Sequence, residues 1–323
     1  MLAAAFLVLF VTPVVGKKWI PLSRIFQTGG SAIESQIFWH MRLPRTCTAF
    51  LAGAGLALSG MALQALFRNP LATPFTLGIS SGGAFGAVVY IVFPAIHFGI
   101  FGLSGQSVFS LIGSAIAIAI VYGLTKARHG FSTATMLLAG VAVNFFFSSL
   151  ILFFQYMSGH RELFRMVRWL MGGLDVGGFD AVLDVLPFTL GGGIIVFYLT
   201  RELNLMTTGE EIATSRGVEV KAVKKMVFVA TSLMVGGIVA ICGPIGFVGM
   251  MAPHICRMLI GADHRYLAPA SFLFGGMFLA LCDTLARTLI APAEIPVGVI
   301  TALIGGPFFI WLLVSGSSEK HLL

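Results

Sequence analysis

Charge interrupts this chain so rarely that ten apolar stretches, most of them close to the length of a bilayer crossing, dominate it. They lie near residues 1–16, 46–66, 75–94, 107–125, 133–157, 182–200, 226–243, 245–260, 268–287 and 297–314. A helix needs ~20 mostly apolar residues to cross the hydrocarbon core. Charged residues make up 10% of the 323, against ~25% in soluble domains. Apolar area left in water costs ~25 cal/mol per Å², so the solvent for most of this chain must be lipid. The runs are too long and continuous for the alternating strands of a barrel, and helices satisfy their own backbone groups in lipid. The expected fold is therefore all-α and polytopic, with about ten transmembrane helices in a single membrane domain, 1–323. Residues 1–15 lack the basic leading region and clean cleavage site of a signal peptide, and read as a short first span.

The polar residues are confined to a few connections. With the N-terminus inside, Lys and Arg divide almost evenly between the two sides, so the positive-inside rule favours this orientation only weakly. Net charge is +7, but no basic patch sits on a soluble face, which excludes nucleic-acid binding. Segment 17–45 is amphipathic, with Trp19, Ile20, Leu22, Ile25 and Phe26, then Ile37, Phe38 and Trp39. Segment 94–106 is rich in Gly and Ser, and 158–181 carries Arg161, Arg165 and Arg168 at helical spacing. Segment 201–225 is the most polar and is expected in the cytoplasm. The scattered Cys47, Cys242, Cys256 and Cys282 read as small buried hydrophobes.

Two patterns of small residues bear on architecture. Gly53-Ala54-Gly55-Leu56-Ala57-Leu58-Ser59-Gly60 resembles Gly236-Gly237-Ile238-Val239-Ala240-Ile241-Cys242-Gly243, and at the same offset Pro70 falls on Pro253. Either spans 2–5 and 7–10 form an inverted repeat with the pathway between the halves, or small residues in apolar helices agree by chance. Small residues also recur every fourth position at Gly82/Gly86 and at Gly298/Ala302/Gly306. Such ladders let helix backbones approach closely, within one subunit or, for the last ladder, between subunits.

The phosphate-loop and zinc-protease signatures are missing. The sequence has no GxxxxGK[ST] phosphate loop and no HExxH, and His40, His97, His129, His160, His254, His264 and His321 are isolated. The spans are nearly bare of the titratable groups that an ion-driven secondary transporter, the alternative reading, would need. The exception is Asp283 with Arg287, four residues on, and Glu294. This is either a local ion pair that makes charge tolerable in the membrane or a place where Arg287 points outward to an acidic partner. Asn144, Ser148 and Ser149, beside Phe145, Phe146 and Phe147, either line a weakly polar pathway or bond neighbouring helices. In segment 209–218, Gly209 and Gly217 punctuate a short helical stretch with Glu210, Glu211, Ala213, Arg216 and Val218. It is either a solvated loop or a short helix that fits a groove on a soluble subunit.

A set of motifs spread from Trp19 to Leu313 carries a resemblance. They are Arg42-Leu43-Pro44-Arg45; Gln64-Ala65-Leu66-Phe67 followed by Asn69-Pro70-Leu71-Ala72; Leu138-Ala139-Gly140-Val141; Trp169-Leu170-Met171-Gly172-Gly173; Gly246-Phe247-Val248-Gly249 followed by Pro253-His254; Asp263-His264-Arg265; and Glu294-Ile295-Pro296-Val297-Gly298. In this order and spacing the chain resembles the FecCD-type permease family of ABC importers for ferric siderophores, haem and vitamin B12. The resemblance implies a type II importer permease fold in the inner membrane, with a second permease subunit (a homodimer), two cytoplasmic ATPase subunits and a periplasmic binding protein. It implies no cofactor on this chain, with ATP and Mg on the ATPase, and transport by alternating access, with an iron-siderophore as first expectation for cargo. Residue by residue, it makes 210–218 the ATPase-coupling segment and Arg42, Arg45 and Arg287 outward docking arginines. It sets Asn69, Leu71, Ser132 and Thr133 near the cytoplasmic gate.

Overall fold

The structure is a computed structural model that describes residues 1–16, 20–21, 25, 33–93, 99–100, 103–127, 132–174 and 177–314. Trp19, Leu22 and Phe26 of the amphipathic segment, most of 94–106, and His97, His129 and His321 lie outside the described residues.

Helix α1 spans Leu2–Val14. Helix α2, Ile33–Phe67, is longer than its apolar stretch requires. It contains a π-turn at Phe38–Arg42, just before Pro44. Proline cannot donate to the carbonyl four residues back, and the wider turn falls where that bond is missing. The helix stops at Arg68, which adopts the left-handed conformation (φ 47°) and donates its N–H to the last-turn carbonyls of Gln64 and Ala65. Pro70 bars continuation. A 3₁₀ turn at Pro74–Leu77 follows, closed by reciprocal bonds between Thr73 and Thr76, and then α3, Ile79–Val92.

The remaining helices are α4 (Gly105–Ala127), α5 (Thr133–Met157), α6 (His160–Leu170), α7 (Asp180–Tyr198), α8 (Thr200–Thr207), α9 (Glu210–Ser215), α10 (Val220–Cys242), α11 (Val248–Ile260), α12 (His264–Thr288) and α13 (Val297–Val314). Strand structure among the described residues is limited to a two-residue ladder, Gly99–Ile100 with Leu103–Ser104. Six helices are long and apolar enough to cross a membrane, and four shorter apolar ones (α1, α3, α11 and α13) complete the expected ten. Helices α6, α8 and α9 fall in the polar connections, and α6 carries Arg161, Arg165 and Arg168.

Burial separates an axis from a periphery. In the single chain 89% of the apolar window of α2 is buried, against 33% for α4, 28% for α5 and 33% for α7. Around α2 pack α12, α10, α11 and α7, while α3 packs against α4 and α5. Backbone contact explains the glycines of the axis: a methyl group at Gly60 would overlap the Gly249 carbonyl. The Gly82/Gly86 ladder lies against Gly113 and Phe109 of α4, so it packs within the subunit. The second ladder divides. Gly298 abuts the Met171 carbonyl, whereas Ala302 is exposed and Gly306 faces open space.

Candidate functional site

The two ends of the bundle carry different charge clusters. At the end where α2 begins, Arg45 grips Asp283 of α12 through Nε (2.9 and 3.2 Å) and through its terminal nitrogen (2.9 Å), and reaches Glu294 at 2.8 Å. Arg287 bonds the same Asp283 at 3.0 Å and donates to the Thr12 and Val15 carbonyls at the end of α1. Arg42 donates to the Pro13 and Val14 carbonyls. Asp283 is 1% exposed and Arg287 8%. A buried carboxylate is tolerable only when paired and hydrogen-bonded, and two guanidinium groups supply that here. The local ion pair is thus formed. The donors of Arg287 are turned onto Asp283 and α1, where a carboxylate at this depth requires them.

Three of the sequence motifs meet at this end. The Gly173 N–H donates to the Cys242 carbonyl (2.9 Å), and the Gly298 N–H to the Gly172 carbonyl (3.3 Å). Gly172 has φ +70° against the Pro244 carbonyl, a place only glycine fills without strain. Beside this staple lies a cavity of about 820 Å³, whose lining includes Met41, Arg45, Phe164, Arg168, Met171 and Glu294.

The opposite end is built around α9. Gly209 (φ +131°) precedes the helix and Gly217 (φ +85°) ends it. Val218 N–H donates to the Ala213 carbonyl (3.0 Å) and Gly217 N–H to that of Thr214 (2.9 Å). This is the Schellman arrangement, with glycine at its left-handed position and an apolar pair, Ala213 and Val218, closing it. Both members of the pair are buried, whereas Glu211, Ile212, Thr214 and Arg216 are exposed. A groove of about 700 Å³ runs between α9 and the start of α10, with Glu211, Thr214, Ser215 and Lys221 in its walls.

Glu210 accepts from Lys224 of α10 at 2.7 Å and from the Thr133 hydroxyl of α5 at 3.4 Å. Lys224 is 3% exposed, while the Glu210 side chain is 38% exposed. The structure thus brings together Glu210 and Thr133, which the sequence offers separately. Asn69 and Leu71 form their own turn, Asn69 Oδ1 accepting the Leu71 N–H at 2.9 Å. Ser132 is exposed at the N-cap of α5, and Asn144 and Ser148 are half-buried one turn apart along that helix. No bond among the described residues joins Asn69 or Leu71 to Thr133.

Sequence reasoning missed Lys224 and Asn204. Asn204 Oδ1 accepts the His264 N–H at 2.8 Å and lies 2.7 Å from His264 Nδ1, and its Nδ2 donates to Asp263 Oδ1 at 2.7 Å. The Arg265 N–H and the Asn204 amide hold the Asp263 carboxyl below the usual range. Asp263-His264-Arg265 was visible as a motif, but its partner sits 59 residues earlier and no local pattern marks it. Among the described residues no three His, Cys, Asp or Glu side chains converge as a metal site would require.

An axial helix within a bundle of ten apolar helices, with ion pairs held at both ends, defines a multi-pass membrane protein. The chain belongs to the FecCD transport family, whose profile matches residues 3–315. It is 39% identical over 303 residues to the hemin transport system permease protein HmuU of Yersinia pestis, covering 93% of this chain and 90% of that one. Identity is 40% over 287 residues to the cobalamin import system permease protein BtuC of Halobacterium salinarum, covering 89% and 76%. Among solved structures, one assigned to a metal-chelate type of ABC transporter in an inward-facing conformation superposes with a TM-score of 0.85 at 33% identity, over 97% of this chain and 98% of that one. The chain is accordingly a permease subunit of an ABC importer, and ATP hydrolysis belongs to a separate subunit in this family.

Proposed function

We propose that this chain moves a metal chelate (haem, cobalamin or an iron-siderophore) inward across the inner membrane by alternating access, driven by two ATPase subunits that engage α9. Two copies of the chain flank the pathway, and a binding protein loads it at the Arg45 end. The observation that carries this reading is the build of α9. It presents Glu211, Ile212 and Arg216 outward while Glu210 is tied to α10 and α5. A push on the exposed face is thereby delivered to two membrane helices. Energy enters because the ATPase holds α9 differently in its two states. The guanidinium of Arg68, just past α2, lies 3.9 Å from where a Cβ at Gly209 would sit, so the end of α2 reaches the segment that opens α9.

Identity to hemin and cobalamin permeases is nearly equal, so relatives favour the chelate class over one cargo. No observation favours ion-driven transport, because the buried acid Asp283 is held by arginines. The test is reconstitution with the ATPase and binding protein, then uptake of haem, a ferric siderophore and cobalamin. ATP-dependent uptake of one is expected. Failure to co-purify with any ATPase would refute the proposal. In this reading Arg42, Arg45 and Arg287 receive the binding protein, and Arg42, which also donates to the Pro13 and Val14 carbonyls, is half-buried. Arg42→Glu should lower the stimulation of ATPase activity by the binding protein several-fold at low salt and less at high salt, where surface charge is screened. An unchanged response removes its docking role.

A further inference from the structure

Among the described residues the Asp263-His264-Arg265 motif takes no part in the ion pairs of either end, yet its side chains and amides are bonded together and to a second helix. Helix α12 begins at His264, and the first amides of a helix have no partner within it. Asp263 Oδ1 accepts the Arg265 N–H at 3.0 Å, an ordinary N-cap. The His264 N–H is satisfied differently, by a side chain from another helix, Asn204 of α8. That one oxygen also faces His264 Nδ1, which donates to it when the ring carries its proton there, while the Asn204 amide nitrogen donates to Asp263. His264 is 2% exposed, and its Nε2 has no hydrogen-bond partner among the described residues. Asn204 is thus the ring's bonded anchor, and separating α8 from α12 would strand buried polar groups.

The position of α8 gives this clasp a use. It runs directly into α9 through Thr208 and Gly209, and Leu203 and Met206 bury it against the bundle. Helix α12 crosses to the opposite end, where Asp283 and Arg287 hold Arg45 and the last turn of α1. We propose that Asn204 is a positioning residue that carries the displacement of α9 into α12, and so to the Arg45 end. This rests on α9 being the ATPase contact. It adds a third route, to α12, beside those to α10 through Lys224 and to α5 through Thr133.

The test uses the reconstituted complex with ATPase and binding protein, and reads uptake per ATP hydrolysed. Absence of ATP-driven uptake in the unaltered complex would count against the proposed function itself, before any variant is read. Asn204→Asp sets a carboxylate against Asp263 and should lower uptake per ATP about tenfold, the scale of a typical coupling free energy, while the amount of assembled complex and its basal hydrolysis hold. Asn204→Ala, which removes the bonds without adding charge, should act in the same direction. The reciprocal variant Asn204→Asp with Asp263→Asn removes the like-charge contact and keeps both bonds to His264. The amide at 263 must turn its nitrogen to the carboxylate at 204 and its oxygen to the Arg265 N–H, two bonds that one Asp263 oxygen now accepts, so this variant should recover most of the lost uptake per ATP without reaching normal. Normal coupling in Asn204→Ala, or a reciprocal variant no better than the single one, overturns the assignment. Loss of assembly in both single variants with rescue in the reciprocal one also overturns it, since the clasp would then serve folding alone.

Discussion

Asp283 and Glu210 are both carboxylates bonded to cations, but one is sealed and the other stands half in water. At the Arg45 end a buried acid is held by two arginines, and Glu294 adds a second acid at the rim. At the α9 end it is the cation, Lys224, that is buried, and its acid partner keeps 38% of its side chain exposed. A sealed cluster resists change, because losing one member leaves an uncompensated charge inside. A pair with one foot in solvent can open, because the freed carboxylate finds water. The first arrangement suits a fixed point of the bundle and the second a joint.

The sharpest way to break this comparison is Asp283→Ala. It strands two guanidinium groups and should cost about 3–5 kcal/mol, read as a large fall in the thermal midpoint of the detergent-solubilised protein. A fall no larger than that of a rim substitution would end the idea of a fixed point. Gly217→Ala comes next. Its Cβ would meet nothing within 4 Å, so the cost is conformational, about 1–2 kcal/mol for a left-handed alanine. It should weaken ATPase stimulation while leaving the midpoint of the bundle nearly unchanged. Lys224→Met, of similar volume, removes a buried charge and releases Glu210 to water, so a stability change of about 1 kcal/mol or less is expected, together with impaired uptake. Equal destabilisation by Lys224→Met and Asp283→Ala would erase the difference between the ends. Glu294→Gln, at 42% exposure, should change stability by under about 1 kcal/mol, and a larger loss would move Glu294 into the sealed cluster.

The ten apolar stretches located the spans because length and hydrophobicity act locally. The extension of α2 back to Ile33 was not legible: segment 17–45 reads as one amphipathic connection, and a π-turn has no composition of its own. The glycines around α9 announced a short punctuated helix, and the Schellman closure explains why both are there. The i, i+4 spacing of Asp283 and Arg287 announced a pair but left its direction open, since direction depends on Arg45, 238 residues away. Asn204 and Lys224 escaped for the same reason. Each is an ordinary polar residue whose importance comes from a partner on a distant segment.

The six residues of α9 have a consequence for how this subunit can be observed. So short a helix is unstable alone in water, so whatever order it has is borrowed from the Ala213–Val218 contact and the Glu210 bonds. Backbone amide protons of Gly217 and Val218 should exchange with deuterium faster than those of α10 in the isolated subunit, and slow when an ATPase is seated. The segment would then serve as a built-in gauge of occupancy, readable without cargo, label or transport.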